Sequence, residues 1–138
     1  MRRAAVLLLV FSVFLIGCGG TNGSNNNVVS NSPFQGTYIG PYSVSGGAQA
    51  GNVTGMSVNI LGEVQGTMTA TNASGVAGNL GGLIGNDGTA AMSLTNFSPT
   101  QYTVSGLWTL NGTALTGTLT FTPNGGSPVV YTFNLTKQ

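Results

Sequence analysis

From Phe34 to the C-terminus, apolar residues alternate with Thr and Ser, and turn signals recur every 8 to 15 residues. No stretch of this region has the sustained spacing of apolar residues that an amphipathic helix requires. This pattern is typical of an all-β sandwich or barrel. It predicts eight strands, near residues 35–44, 53–61, 64–71, 78–85, 89–95, 101–110, 113–121 and 128–136.

Short glycine-containing loops connect the predicted strands. Asn111-Gly112 separates two alternating runs and predicts a two-residue type I′ turn with both residues at positive φ. Asp87-Gly88 and Asn124-Gly125-Gly126 predict similar hairpins, and Gly62-Glu63 fits a type II′ turn with Gly first. Because loops this short join antiparallel strands, we expect neighbouring strands to pair in sequence order.

One face of each predicted strand is apolar, and the other carries mainly Thr and Ser. An apolar inner face with a Thr-rich outer face lacks the lipid-facing band of a transmembrane barrel, so we expect a buried interior and a hydrated exterior. Glycines that share the inner face predict the bends and close approaches of a small closed barrel; they are Gly36, Gly40, Gly66, Gly82, Gly106 and Gly117. We therefore predict a small antiparallel up-and-down barrel of about eight strands, with a β-sandwich as the alternative.

The N-terminus has the pattern of an export signal. Arg2 and Arg3 precede thirteen residues, Ala4 to Ile16, that are apolar except for Ser12. This run is shorter than the roughly 20 residues that a membrane-spanning helix needs, so removal as a signal peptide is favoured over retention as an anchor.

The end of this segment carries a more specific motif. Leu15-Ile16-Gly17-Cys18 resembles the lipobox of bacterial lipoproteins at all four positions. The resemblance implies cleavage between Gly17 and Cys18, acylation of Cys18, and attachment to a bacterial cell envelope. Gly19 stands where an Asp would signal inner-membrane retention in that family, so the resemblance favours the outer membrane.

The predicted organisation has three parts. Residues 1–17 form the lipoprotein signal peptide, residues 18–33 the lipidated Cys18 and a tether, and residues 34–138 the β domain. The tether is rich in Gly, Asn and Ser, a composition that cannot bury enough apolar surface to become ordered. It predicts a flexible spacer that holds the domain away from the membrane.

The charge content narrows the possible functions. Only 4% of the residues are charged, compared with about 25% in a typical domain, and there is no His. So few cations exclude a nucleic-acid interface, and the absence of His excludes most metal sites and every His-based triad. Glu63 and Asp87 are the only carboxylates, and we interpret them as solvated turn residues rather than as a catalytic pair. The sequence predicts no enzyme activity and no cofactor.

One group of residues on the inner face suggests a ligand-binding site. It consists of five aromatic residues: Tyr38, Tyr42, Tyr102, Trp108 and Tyr131. They either pack as core or line a cavity for a small hydrophobic or sugar-like ligand, and core packing is favoured. The eight-stranded meander resembles lipocalin and avidin barrels in general plan, although no motif transfers a ligand site from those families.

Two functions follow from these observations. The first is a membrane-anchored envelope lipoprotein whose non-enzymatic β domain binds a partner or takes part in a surface assembly. The alternative is a barrel that binds a small ligand in its interior. A hollow interior favours the alternative, whereas a filled interior with apolar residues exposed near Ile39, Leu107 or Val130 favours the first function.

Overall fold

The computed structural model describes residues 31–71, 77–97 and 101–138. The predicted signal peptide, the cleavage site at Gly17, the lipidation site Cys18 and most of the predicted tether lie outside the described residues. Eight strands are present: β1 Gly36–Val44, β2 Gln49–Val58, β3 Glu63–Ala70, β4 Ala77–Ile84, β5 Thr89–Thr95, β6 Tyr102–Asn111, β7 Ala114–Pro123 and β8 Val129–Lys137.

Each strand pairs antiparallel with the next strand in sequence, and β8 pairs with β1. The result is a closed up-and-down barrel, which confirms the predicted barrel and the predicted number of strands. The inner faces are those that the alternation predicts, and their side chains fill the interior around Trp108, Phe121 and Phe133.

The meander gives the barrel two distinct ends. We call the end where the chain enters the entry end; it comprises residues 31–36, the turns at 59–62, 85–88 and 112–113, and the C-terminus. The opposite end is the far end; it has the loops at 45–48 and 124–128, the C-terminal ends of β3 and β5, and the N-terminal ends of β4 and β6. Phe34 is buried in the core at the entry end, and its carbonyl accepts a hydrogen bond of 2.8 Å from Tyr38 Oη. Phe34 and Tyr38 together therefore cover the core at the entry end.

The β6–β7 hairpin is placed one residue later than the sequence predicts. Asn111 pairs with Ala114, so the loop residues are Gly112 and Thr113, and of the predicted pair only Gly112 has a positive φ, at 61°. This register places Trp108 opposite Gly117. A loop at Asn111-Gly112 would instead place Trp108 opposite Leu115, where two large inward side chains would compete for one space.

The β2–β3 turn also differs from the prediction. Strand β2 begins earlier and ends earlier than expected, and the turn is formed by Asn59 to Gly62 rather than by Gly62-Glu63. The Asn59 side-chain oxygen accepts hydrogen bonds from the backbone N–H groups of Leu61 and Glu63, at 2.9 and 3.0 Å. Gly62 takes the last turn position at φ 83°. The competing side-chain hydrogen bonds of Asn59 therefore end the strand at Val58.

Glycines within strands allow the barrel to close, as the sequence predicts. Gly82 and Gly106 have φ values of 142° and 152°, which side-chain-bearing residues rarely adopt. At both positions a Cβ atom would overlap a carbonyl oxygen of the neighbouring strand, that of Ala91 or Thr118. These glycines let β4 and β6 bend tightly against their neighbours.

Candidate functional site

The five aromatic residues singled out from the sequence occupy two different places. Tyr38 and Trp108 are fully buried in the core. Tyr42, Tyr102 and Tyr131 lie toward the far end, and the last two are only partly buried. The structure therefore does not assemble one five-residue site, and only the far-end group is near the surface.

The far-end tyrosines belong to a continuous aromatic cluster. Tyr131 contacts Tyr42 and Phe121 edge-to-face, with ring centroids 5.7 and 5.1 Å apart. Phe133 stacks on Tyr42 at 5.4 Å and meets Trp108 at 5.3 Å, which joins the cluster to the barrel core. Such pairs contribute about 0.5–1.5 kcal/mol each beyond burial of their area.

Sequence reasoning missed three members of this cluster. Phe121 and Phe133 share the inward parity of the tyrosines, so the same alternation identifies them once the ring neighbours are considered. Phe97 lies in the loop after β5, where no periodicity applies, and its ring meets Tyr102 at 6.3 Å.

The space enclosed by this cluster is small. A cavity of about 20 Å³ lies among the far-end aromatic residues together with Met68 and Leu94. Such a volume accommodates about one water molecule, whereas small-molecule sites measure about 300–1,000 Å³. In the part of the barrel that the structure describes, the aromatic cluster is therefore packed core that reaches the surface at the far end.

The buried tyrosines place their hydroxyl groups on backbone acceptors. Tyr42 Oη donates to the Thr69 carbonyl at 3.1 Å. Burial and the nearby Tyr131 raise the pKa of Tyr42 to about 12, and burial also raises the pKa values of Tyr38 and Tyr131. By contrast, Trp108 Nε1 is buried without a hydrogen-bond acceptor among the described residues. An unpaired donor of this kind costs about 1–3 kcal/mol, so Trp108 stabilises the core through its packing alone.

The far end presents an apolar rim around the cluster. We define the far-end rim as Val44, Val129 and Val130, which are 41%, 37% and 37% exposed. Val44 pairs with Tyr131, and the Val130 carbonyl accepts a hydrogen bond from Ser45 N–H at 2.9 Å, so the ends of β1 and β8 that carry the rim lie side by side. Elsewhere on the wall, Ile39 and Leu107 are exposed singly among threonines.

All the charged residues of the β domain lie at the entry end. Lys137 Nζ donates to the Gln35 carbonyl at 2.6 Å, and the Glu63 carboxylate accepts a hydrogen bond from the Asn59 side chain. Hydrogen bonds from the Thr89 hydroxyl and N–H hold the pKa of Asp87 below its usual value. Within residues 31–71, 77–97 and 101–138, no group of three or more His, Cys, Asp or Glu side chains is placed to hold a metal ion.

Among the described residues, no helix has the length and hydropathy of a membrane span. Comparison with protein-family models, curated proteins and solved structures finds no match to this chain. The fold itself defines the class: the protein is an eight-stranded antiparallel up-and-down β-barrel with a packed interior and a Thr-rich wall.

Proposed function

We propose that this protein is a lipid-anchored lipoprotein of a bacterial cell envelope, favoured at the outer membrane. In this proposal its non-enzymatic barrel binds a partner or takes part in a surface assembly. The anchor is Cys18, within the lipobox-like sequence Leu15 to Cys18. An acyl chain contributes about 0.8 kcal/mol per buried CH₂, and two or three chains hold a protein stably at a membrane.

The observation that carries the binding function is an apolar rim above a filled interior. The far-end rim exposes three valines next to Tyr131, on the end of the barrel opposite the chain entry. Because the chain from Cys18 arrives at the entry end, an anchor at Cys18 leaves the far end free to meet a partner. The wall between the two ends carries Thr, Ser and Asn without charge, so association at the far-end rim would depend little on salt.

The alternative of an interior ligand site has no comparable support. A ligand of even modest size would have to displace the Tyr42, Phe121 and Phe133 rings, which stack on one another. Titration with an environment-sensitive hydrophobic dye tests this point, because Trp108 is the only Trp and lies in the core. We expect no saturable energy transfer from Trp108 to the dye, whereas stoichiometric transfer would favour the interior site.

The anchor is tested by Cys18→Ser in cells labelled with a fatty acid. We expect the label to disappear and uncleaved precursor to accumulate, because the modification requires a thiol. Ser24→Ala, a change within the predicted tether, is the control and should label like the parent. Equal labelling of Cys18→Ser and the parent would disprove the lipobox interpretation.

The binding surface is tested by photo-crosslinking on intact cells. A photoreactive amino acid replaces Val129 on the far-end rim in one variant and Thr118 on the wall in a second. We expect a discrete adduct from position 129 and none from position 118. Adducts of equal yield, or none from either position, would contradict a partner at the far-end rim.

A further inference from the structure

Three exposed aliphatic side chains lie together at the entry end. We define the entry-end patch as Ile60, Leu61 and Leu83, which are 43%, 60% and 52% exposed. Leu83 pairs with Glu63 at the start of β3, and Ile84 N–H donates to the Gly62 carbonyl at 2.8 Å. The β2–β3 turn and the end of β4 are thereby joined, so the patch is one feature rather than three scattered residues.

The turn that carries Ile60 and Leu61 is held in shape by its own hydrogen bonds. Gly62 N–H donates to the Asn59 carbonyl at 3.0 Å, and Asn59 N–H donates to the Glu63 carbonyl at 3.0 Å. The Asn59 side chain adds two further bonds to the same turn. The backbone is therefore already ordered, and insertion of Ile60 and Leu61 into an apolar phase requires little further ordering.

The chain that leads to Cys18 leaves the barrel beside this patch. Ser32 is buried, and its N–H donates to the Ile60 carbonyl at 2.9 Å. Thirteen residues lie between Cys18 and Ser32. A coil of that length spans about 20 Å on average, and about 50 Å at full extension. A lipid on Cys18 would consequently keep the patch within a short distance of the bilayer, at a high effective concentration.

We propose that the entry-end patch contacts the bilayer that holds the lipid anchor, and that Ile60 and Leu61 insert between phospholipid headgroups. This inference rests on the proposed anchor at Cys18. The acyl chains contribute far more to the free energy of membrane attachment than a few inserted aliphatic side chains do. The main effect of the insertion is therefore to orient the barrel relative to the membrane. The barrel would stand on its entry end, with the far-end rim pointing away from the membrane.

The charges at the entry end specify the lipid chemistry. Glu63 and Asp87 oppose a single cation, Lys137. This balance gives no attraction to anionic lipid, which requires clustered Lys or Arg. The patch therefore suits a neutral, zwitterionic surface, and its contact should be insensitive to salt.

The test places a fluorescent reporter at each end of the anchored full-length protein. Leu61→Trp marks the entry-end patch, Val130→Trp marks the far-end rim, and the parent gives the baseline from buried Trp108. Each protein, with its lipid attached at Cys18, is reconstituted into phosphatidylcholine vesicles. One set of vesicles contains phosphatidylcholine with brominated acyl chains, which quench Trp emission, and the other set does not. We expect about twofold quenching of the emission added at position 61, since interfacial side chains reach about 5–10 Å into the headgroup region. The emission added at position 130 should be unchanged.

Mass spectrometry of the same samples separates the two proposals. An acylated protein whose residue 61 is quenched no more than residue 130 would overturn the bilayer contact while the anchor stands. Salt screens electrostatic attraction, so loss of the quenching at residue 61 in 0.5 M salt would contradict a contact made by apolar side chains. A protein without acyl chains on Cys18 would overturn the anchor and, with it, this inference.

Discussion

Gly117→Ala tests how the barrel accommodates its largest side chain. A Cβ atom on Gly117 would lie 2.7 Å from Cζ3 and 2.9 Å from Cδ2 of Trp108, and closer still to Cε3. Trp108 is 1% exposed and its ring meets Phe133 at 5.3 Å, so the indole has little room to retreat. Overpacking of this kind lowers the free energy of unfolding by about 1–3 kcal/mol. Replacing Gly by Ala also reduces the conformational entropy of the unfolded chain, which offsets about 0.4–1 kcal/mol of that loss. The net loss of about 1–2 kcal/mol should lower Tm by about 5–15 °C.

The control for this variant is Gly55→Ala. A Cβ atom at Gly55 meets nothing within 4 Å, and its φ is not positive, so this change should leave Tm unchanged or raise it slightly. Thermal unfolding is followed by far-ultraviolet circular dichroism on the purified full-length protein in mild detergent. In a Trp108→Phe background the penalty of Gly117→Ala should shrink by about 1 kcal/mol, because the smaller ring leaves room for the methyl group. Equal melting temperatures for the Gly117 and Gly55 variants would refute the reasoning.

Three further predictions concern the turn, the tyrosines and the sorting signal. Gly112→Val should lower the free energy of unfolding by about 1–3 kcal/mol in a thermal melt, because φ at Gly112 is 61°. The surrounding space is open, so this loss would come from the backbone conformation and not from a clash. The control Thr113→Val should change stability by no more than about 0.5 kcal/mol, and equal effects of the two variants would contradict the turn position. The raised pKa of Tyr42 means that the folded state retains its proton more tightly than the unfolded state, so stability should fall as pH rises from about 10 to about 12. Chemical denaturation across that range should show a shallower fall in Tyr42→Phe, and an identical slope would contradict burial of the hydroxyl. Gly19→Asp should move the protein from the outer to the inner membrane on density-gradient fractionation, and an unchanged distribution would count against the lipoprotein sorting proposal.

The alternation of apolar and polar residues was sufficient to predict the strands and their buried faces, but not the turn positions. A loop at Asn111-Gly112 and a loop at Gly112-Thr113 leave the same side chains inside, so periodicity cannot distinguish them. The two registers differ in whether Trp108 faces Leu115 or Gly117. The choice depends on the fit of side-chain volumes across strands, which requires the three-dimensional pairing.

The candidate site was predictable only in part, for a related reason. Inward parity identifies the tyrosines but does not show how far along the barrel axis each one lies. It therefore predicts one group that contains both Tyr38 and Tyr131, although these residues lie toward opposite ends of the barrel. The apolar pattern predicts that Ile60 and Leu61 belong to a strand, whereas both lie in the β2–β3 turn. Their exposure depends on hydrogen bonds that the Asn59 side chain makes to the backbone. Such local competition for backbone groups is not visible in a pattern of hydrophobicity.

Closure of the barrel through β1 and β8 has a consequence for the order of folding. Seven of the eight strand pairings join neighbours in sequence, but Tyr38 pairs with Lys137 across almost the whole β domain. If the chain crosses a membrane N-terminus first, as an exported protein does, β8 is the last strand to arrive. Until then β1 and β7 each have an unpaired edge and the aromatic interior is open, a state prone to association with other chains. The final nine-residue strand would thus control when the protein becomes resistant to proteases and chaperones that recognise unfolded chains.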